Sequence, residues 1–150
     1  MSYRITKSLW VPRPIDEVFD FFGNAANLEQ MTPPWVGFKI LTPQPIEMRA
    51  GSLIDYRISL HGLPLRWRTE ITTWKPPFEF VDEQLKGPYR RWHHRHTFES
   101  RDGGTLVGDE VTYDVVGGAL VNRLFVAGDV KKIFAFREEA LRRLFHNQRA

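Results

Sequence analysis

The spacing of hydrophobic and polar positions changes period twice along the chain. Residues 3–11 (Tyr-Arg-Ile-Thr-Lys-Ser-Leu-Trp-Val) alternate as a strand does. Pro12-Arg-Pro14 ends that strand, and Pro14 suits the first turn of a helix. Ile15, Val18, Phe19 and Phe22 then recur at helical spacing, with Asp16 and Glu17 at the positive end of the helix dipole. Gly23-Asn24 stops this helix, and a second short one is expected over 25–31 before Thr32-Pro33-Pro34 breaks the chain. From Trp35 to Val116 the pattern is that of strands, expected at 35–42, 52–61, 64–74, 78–85, 89–99 and 104–115, each bounded by Gly, Pro or Asp. After Gly117-Gly118, Leu120, Leu124, Ala127, Val130, Phe134, Leu141, Leu144 and Phe145 trace the apolar stripe of a long C-terminal helix, with an interruption expected at Gly128. Short connections between successive strands make the sheet antiparallel. The predicted fold is α+β: seven antiparallel strands against one long C-terminal helix, with two short helices after the first strand.

Hairpin turns allow the strands to be set in register. Asp102-Gly103 is a strong two-residue type I′ signal, and a turn centred there pairs Arg101 with Gly104, Phe98 with Val107, His96 with Asp109, His94 with Val111 and Trp92 with Tyr113. Lys86-Gly87-Pro88 read as a three-residue loop pairs Asp82 with Trp92 and Phe80 with His94. Trp74–Pro77 read as a four-residue loop pairs Ile71 with Phe80, Thr69 with Asp82 and Trp67 with Gln84. These registers agree on facing, because side chains alternate with a period of two. One face carries Trp67, Thr69, Ile71, Phe78, Phe80, Asp82, Gln84, Trp92, His94, His96, Phe98, Val107, Asp109, Val111 and Tyr113, and is expected to be interior. The other carries Arg66, Arg68, Glu70, Glu79, Glu83, Arg91, His93, Arg95, Glu110, Thr112 and Asp114, and is expected to face solvent. A solid core does not collect Asp82, Gln84, His94, His96, Asp109 and Tyr113 cheaply, since unpaired buried charges cost several kcal/mol. A hollow between sheet and helix, holding water or a ligand, accommodates them.

Composition narrows the function classes. The 150 residues fit one domain. The absence of cysteine excludes a disulfide scaffold, a thiolate metal site and a cysteine nucleophile. No apolar run approaches a membrane span, and the N-terminal residues carry no signal-peptide core, so a cytoplasmic location is expected. A net charge of +3 does not imply nucleic acid. The basic outer face formed by Arg66, Arg68, Arg91, His93 and Arg95 is shared with Glu70, Glu79, Glu83 and Glu110, and Trp74 is the only aromatic available to it. No Gly-rich phosphate loop follows a strand into a helix.

The order of elements and several motifs resemble the START-related, birch-pollen-allergen-like helix-grip superfamily (SRPBCC), in particular its bacterial ligand-binding, cyclase/dehydrase-like members. The motifs are Gly62-Leu-Pro-Leu-Arg-Trp67-Arg-Thr69-Glu-Ile71, Pro76-Pro77, Phe80-Val-Asp82-Glu-Gln84, Gly87-Pro88-Tyr89, Trp92-His-His94-Arg-His96-Thr-Phe98, Asp109-Glu-Val111-Thr-Tyr113 and Phe134-Ala-Phe-Arg137. The resemblance spans nearly the whole chain and implies one START-like ligand-binding domain over 1–150. It implies a cavity between the sheet and the C-terminal helix, and ligands such as lipids, isoprenoid quinones or polyketides.

The leading expectation is non-covalent binding of a small hydrophobic molecule, with no cofactor. The expected wall is Trp67, Phe80, Trp92, Phe98 and Tyr113, completed by Thr69 and Val111. Asp82, Gln84, His94, His96, Asp109 and Arg137 are expected to orient the polar end. Thr69 and Trp92 are the expected companions of Asp82, while Arg137 is open to an anionic head group or to an interior carboxylate such as Asp109. Two further readings stay open. His96 and Asp109, directly opposite in register, form a candidate general-base dyad for a cyclase or dehydratase, with His94 or Tyr113 as acid. The basic outer face is a candidate protein-docking surface. A metal held by His94, His96 and Asp109 is disfavoured, because these residues lack the spacing of a strong zinc motif.

Overall fold

A computed structural model describes residues 2–146, without the side chains of Leu124 and Phe125. Leu124 of the expected helix stripe therefore lies outside the described side chains. The strands are β1 (Tyr3–Val11), β2 (Lys39–Ile40), β3 (Leu53–Leu60), β4 (Leu63–Lys75), β5 (Glu79–Lys86), β6 (Arg91–Arg101) and β7 (Gly104–Asp114). They form one antiparallel sheet in the order β1-β7-β6-β5-β4-β3-β2. Between β1 and β2 lie α1 (Ile15–Phe22), a 3₁₀ turn (Ala25–Asn27), α2 (Leu28–Met31) and a second 3₁₀ turn (Pro34–Val36). The chain ends in α3 (Gly118–Val121), a π turn over Asn122–Val126 and α4 (Ala127–His146). This is the helix-grip arrangement: a sheet wrapped on a long C-terminal helix.

Local chemistry accounts for most boundaries. Asp102 and Gly103 both adopt positive φ (51° and 76°), as a type I′ turn demands, and the β6–β7 register is the one expected from Arg101↔Gly104 through Trp92↔Tyr113. On α4, Val130, Phe134, Arg137, Ala140, Leu141 and Phe145 are buried, tracing the stripe that lies on the sheet. Three clusters fill the space below. One joins α1 (Val18, Phe19, Phe22) to Phe80, Phe98, Val107, Leu141 and Phe145. Another joins Val111, Tyr113 and Val115 to Val130 and Phe134. The third holds Val36, Ile58 and Trp67.

The structure corrects the expectation in five places. The strand expected over 35–42 shrinks to Lys39–Ile40, because Pro34 starts a 3₁₀ turn closed by Gly37 in the left-handed region. The C-terminal helix is not interrupted at Gly128; its irregularity is the π turn that begins at Asn122, whose side chain accepts from the Tyr113 hydroxyl (2.9 Å). The β5–β6 register is two residues away from the expected one, with Asp82 opposite His94 and Phe80 opposite His96. Pairing stops at Glu83↔His93 because the Gln84 carboxamide clips the backbone of Tyr89, accepting from its N–H (3.1 Å) and donating to its carbonyl (2.7 Å). The β4–β5 register is likewise two residues away from the expected one, with Thr69 opposite Gln84 and Ile71 opposite Asp82. Finally, β4 carries a bulge between Ile71 and Thr73, which reverses the facing beyond it. Trp74, opposite Phe80, therefore turns inward against Phe19 and Phe80, while Phe78 is 63% exposed rather than interior.

At Gly104 an added Cβ would run into the Val11 carbonyl oxygen and the Trp10 indole. Gly104→Ala is expected to cost about 1–3 kcal/mol in urea unfolding, as overpacking does. Gly108→Ala meets only the Thr97 side chain and is expected to cost less.

Candidate functional site

Strand β6 sets the chemistry by placing His94 and His96 two residues apart on the buried face. Asp82 stands opposite His94 on β5, and Asp109 stands opposite His96 on β7. The hydrogen bonds cross. His94 Nε2 lies 2.7 Å from Asp109 Oδ1, and His96 Nε2 lies 2.6 Å from Asp82 Oδ2. The two imidazoles stack with centroids 3.7 Å apart, and His96 also stacks on Phe80 at 4.1 Å. From α4, Arg137 Nη1 donates to Asp109 Oδ1 over 2.7 Å, its guanidinium 5.3 Å from the Phe22 ring centroid and 5.7 Å from that of Phe134. The choice left open for Arg137 thus falls on the interior carboxylate.

Burial opposes ionisation of both carboxylates, but their partners prevail. The hydrogen bond from His96, with the two imidazoles and Arg137, holds Asp82 below the ordinary carboxylate range. The Arg137 charge and the His94 hydrogen bond hold Asp109 well below it. Burial and the adjacent His94 push His96 down to about 4, against the pull of Asp82. At neutral pH His96 is therefore a neutral imidazole whose Nε2–H donates to ionised Asp82. Its Nδ1 is buried without a hydrogen-bond partner, 3.6 Å from Asp109 Oδ1.

This cluster forms the polar end of a cavity of about 200 Å³ bounded by β3–β6, the segment from Phe22 to Thr32, and α4. The walls are mostly apolar, with Tyr56, Trp67, Phe80, Tyr89, Trp92 and Phe134 supplying aromatic rings. Trp67 stacks on Tyr56 (centroids 5.7 Å, 18°) and meets Trp92 edge-on (5.6 Å, 86°), so the tryptophans wall the cavity and do not fill it. Trp67 Nε1 donates to Thr69 Oγ1 (3.0 Å), which also lies 3.4 Å from the Tyr56 hydroxyl. Thr69 thus serves Trp67, and the partner of Asp82 is His96, not Thr69 and Trp92 as the sequence register suggested.

Of the residues singled out from sequence, Trp67, Thr69, Phe80, Asp82, Trp92, His94, His96 and Arg137 border the cavity. Five do not. Gln84 is spent on the Tyr89 backbone, Phe98 packs under Phe19 and Phe22, and Asp109 lies behind His94 and Arg137. Val111 and Tyr113 pack beneath α4 with Val130 and Phe134. The sequence reading missed Phe22, Met31, Tyr56, Tyr89 and Ile133, which also line it. The alternation Ile54, Tyr56, Ile58, Leu60 on β3 carried the signal for Tyr56, but no turn register tied that strand to the others.

Among the described residues, Asp82, His94 and His96 each offer one ligand atom, all within 4.8 Å of one another, and could hold a divalent metal. Asp82 replaces Asp109 in the set considered from sequence, with Asp109 behind His94 as an outer partner. Without a metal, Asp82 Oδ2 and His96 Nε2 are occupied by their mutual hydrogen bond. The same geometry argues against the His96–Asp109 dyad: Asp109 bonds His94 and Arg137, His96 Nε2 bonds Asp82, and His96 Nδ1, unpartnered among the described residues, is buried away from the cavity. On the outer face, Arg68 is bonded to Asp55 (2.8 and 3.2 Å) and Arg95 to Glu79 (2.6 Å).

A mostly apolar cavity between sheet and helix with one buried polar end has the general form of a small-molecule site. The chain belongs to the polyketide cyclase/dehydrase and lipid transport family, which it matches over residues 11–138, within the SRPBCC superfamily. The structure is similar to protein Ms6760 from Mycobacterium smegmatis (TM-score 0.70, 17% identity, 96% of this chain and 91% of that one). It is also similar to ginseng major latex-like protein 151 from Panax ginseng (TM-score 0.67, 9% identity, 96% and 97% covered). A nucleoside-diphosphate sugar epimerase from Corynebacterium glutamicum matches at 26% identity and TM-score 0.65, over 91% of this chain but 28% of that protein. No curated relative matches in sequence. Family and fold together suggest a protein that binds a hydrophobic ligand. No described helix is long and apolar enough to cross a membrane.

Proposed function

We propose that the protein binds a small, ring-sized hydrophobic molecule non-covalently in the cavity between sheet and α4. The observation that carries this reading is an aromatic-walled space of about 200 Å³ with its polar groups gathered at one end. An apolar cavity of about 150 Å³ accepts benzene, so this one suits a body of one or two rings better than a long lipid chain. The site favours holding over chemistry. His96 is bonded through Nε2 and blind at Nδ1, and ionised Asp82 is a weak base, so neither is placed to take a proton from a ligand.

Native mass spectrometry of the purified protein, followed by solvent extraction, is expected to show a stoichiometric, extractable adduct or an empty chain that takes up naphthalene-sized probes with quenching of Trp67 and Trp92 fluorescence. Ile133 lies half-buried on α4 at the cavity wall. Ile133→Trp is expected to abolish uptake while the thermal midpoint stays within a few degrees of wild type, since the larger ring fills cavity space and still packs against the Val36, Ile58 and Trp67 cluster. An empty chain that takes up no probe would overturn the reading, as would unchanged uptake in Ile133→Trp.

A further inference from the structure

The hydrogen bonding at the polar end is incomplete in one direction, and this specifies a ligand. Asp82 Oδ2 is taken by His96, whereas among the described residues Oδ1 has no partner. The side chain is 18% exposed and borders the cavity, so this exposed oxygen is offered to whatever occupies it. Thr69 Oγ1 already accepts from Trp67 and faces the Tyr56 hydroxyl. Arg137 also borders the cavity, but Nη1 is committed to Asp109 and its charge stands against two carboxylates, Asp82 and Asp109. An anion entering here would meet a field of its own sign and an oxygen with no proton to share.

We propose that the cavity selects a ligand whose polar end is a hydrogen-bond donor, a hydroxyl or an ammonium on a body of one or two rings, and that it discriminates against carboxylates. This rests on the cavity being a ligand site, as proposed above. The ligand's O–H or N–H donates to Asp82 Oδ1. Tyr56, whose phenol burial and the nearby Asp82 keep protonated, is the donor that a ligand hydroxyl can accept from in return.

Four probes of one shape separate the terms: naphthalene, naphthol, naphthylmethylamine and naphthoate, titrated calorimetrically into the full chain at neutral pH. Naphthol or naphthylmethylamine is expected to bind at least about ten-fold more tightly than naphthalene, the usual gain for a hydrogen bond to a charged acceptor, and naphthoate more weakly than naphthalene. The two donors distinguish a neutral from a cationic head. In Asp82→Asn, the amide oxygen takes the His96 proton and the amide N–H₂ faces the cavity. The order is then expected to invert, naphthoate gaining and naphthol falling to the level of naphthalene. Tyr56→Phe preserves the fold and the preference for donors while weakening naphthol a few-fold. Naphthoate binding as well as naphthol, or all four probes binding alike, would overturn the donor rule and leave the cavity as a ligand site. If no probe binds wild type, the cavity reading fails and this inference fails with it.

Discussion

Arg137→Ala is expected to destabilise the protein by about 3–5 kcal/mol, the cost of leaving a buried charge without its partner. The Asp109 side chain is 9% exposed and that of Arg137 10%, and they meet at 2.7 Å. Once Arg137 is removed, Asp109 keeps only the His94 hydrogen bond and must stay charged without its strongest compensation or take up a proton. For a chain of this length, each kcal/mol moves the thermal midpoint by about 2–4 °C, so a fall of about 6–20 °C is expected. Arg68 pairs with Asp55 at a similar distance, but both side chains are about two-fifths exposed (41% and 40%). Arg68→Ala is expected to leave the urea midpoint almost unchanged, because solvent screens an exposed pair. The double variant Arg137→Met with Asp109→Asn is expected to recover much of the loss, because both charges leave together. Urea unfolding of the four proteins decides it. A loss below about 1 kcal/mol in Arg137→Ala would show that the pair does not hold α4 to the sheet.

The fold was legible because three independent signals agreed: the early helix behind Pro14, the Asp102-Gly103 turn, and the C-terminal stripe expected from Leu120 to Phe145, which is buried from Val130 onward while Leu120 is exposed. The candidate site was legible only as a set of inward-facing residues. Facing survives a register error of two, since the side-chain period is two, and the β5–β6 register differed from expectation by that amount. Partners do not survive it. The slip carries Asp82 from Trp92 to a position opposite His94, within reach of His96, and thereby replaces the His96–Asp109 dyad with two crossed pairs. The true register is accompanied by the Gln84 side chain bonding the Tyr89 backbone, a contact that propensity and turn length do not encode. The β4 bulge is similar: one extra residue reversed the facing of Trp74, and no Gly announced it. Trp74 therefore cannot serve the outer basic face, two of whose arginines are already bonded to carboxylates.

Acidification is expected to weaken the protein in two stages, the first of them carried by His96. In the unfolded chain this imidazole titrates near 6.5, and in the folded protein near 4. Between those values the unfolded chain holds a proton that the folded protein lacks, so falling pH favours unfolding. The contribution is complete above about 6.5 and is lost as pH falls through 4. At about 1.4 kcal/mol per unit it amounts to about 2–4 kcal/mol. The groups facing His96 are Asp82, His94, Asp109 and Arg137, with Phe80 and Phe22 on its apolar sides. The two carboxylates act in the same direction but lower: Asp82 and Asp109 are held below their ordinary range, so their stabilisation is present above it and lost beneath pH 4. His96→Gln keeps a side-chain donor for Asp82 and does not titrate. It is expected to remove the first stage and preserve the second, which isolates His96 from the other histidines. Urea midpoints at steps between neutral pH and pH 3 measure both stages. A wild-type midpoint that is flat down to pH 4, or an equal slope in wild type and His96→Gln, would show that the buried imidazole is not held neutral by its surroundings.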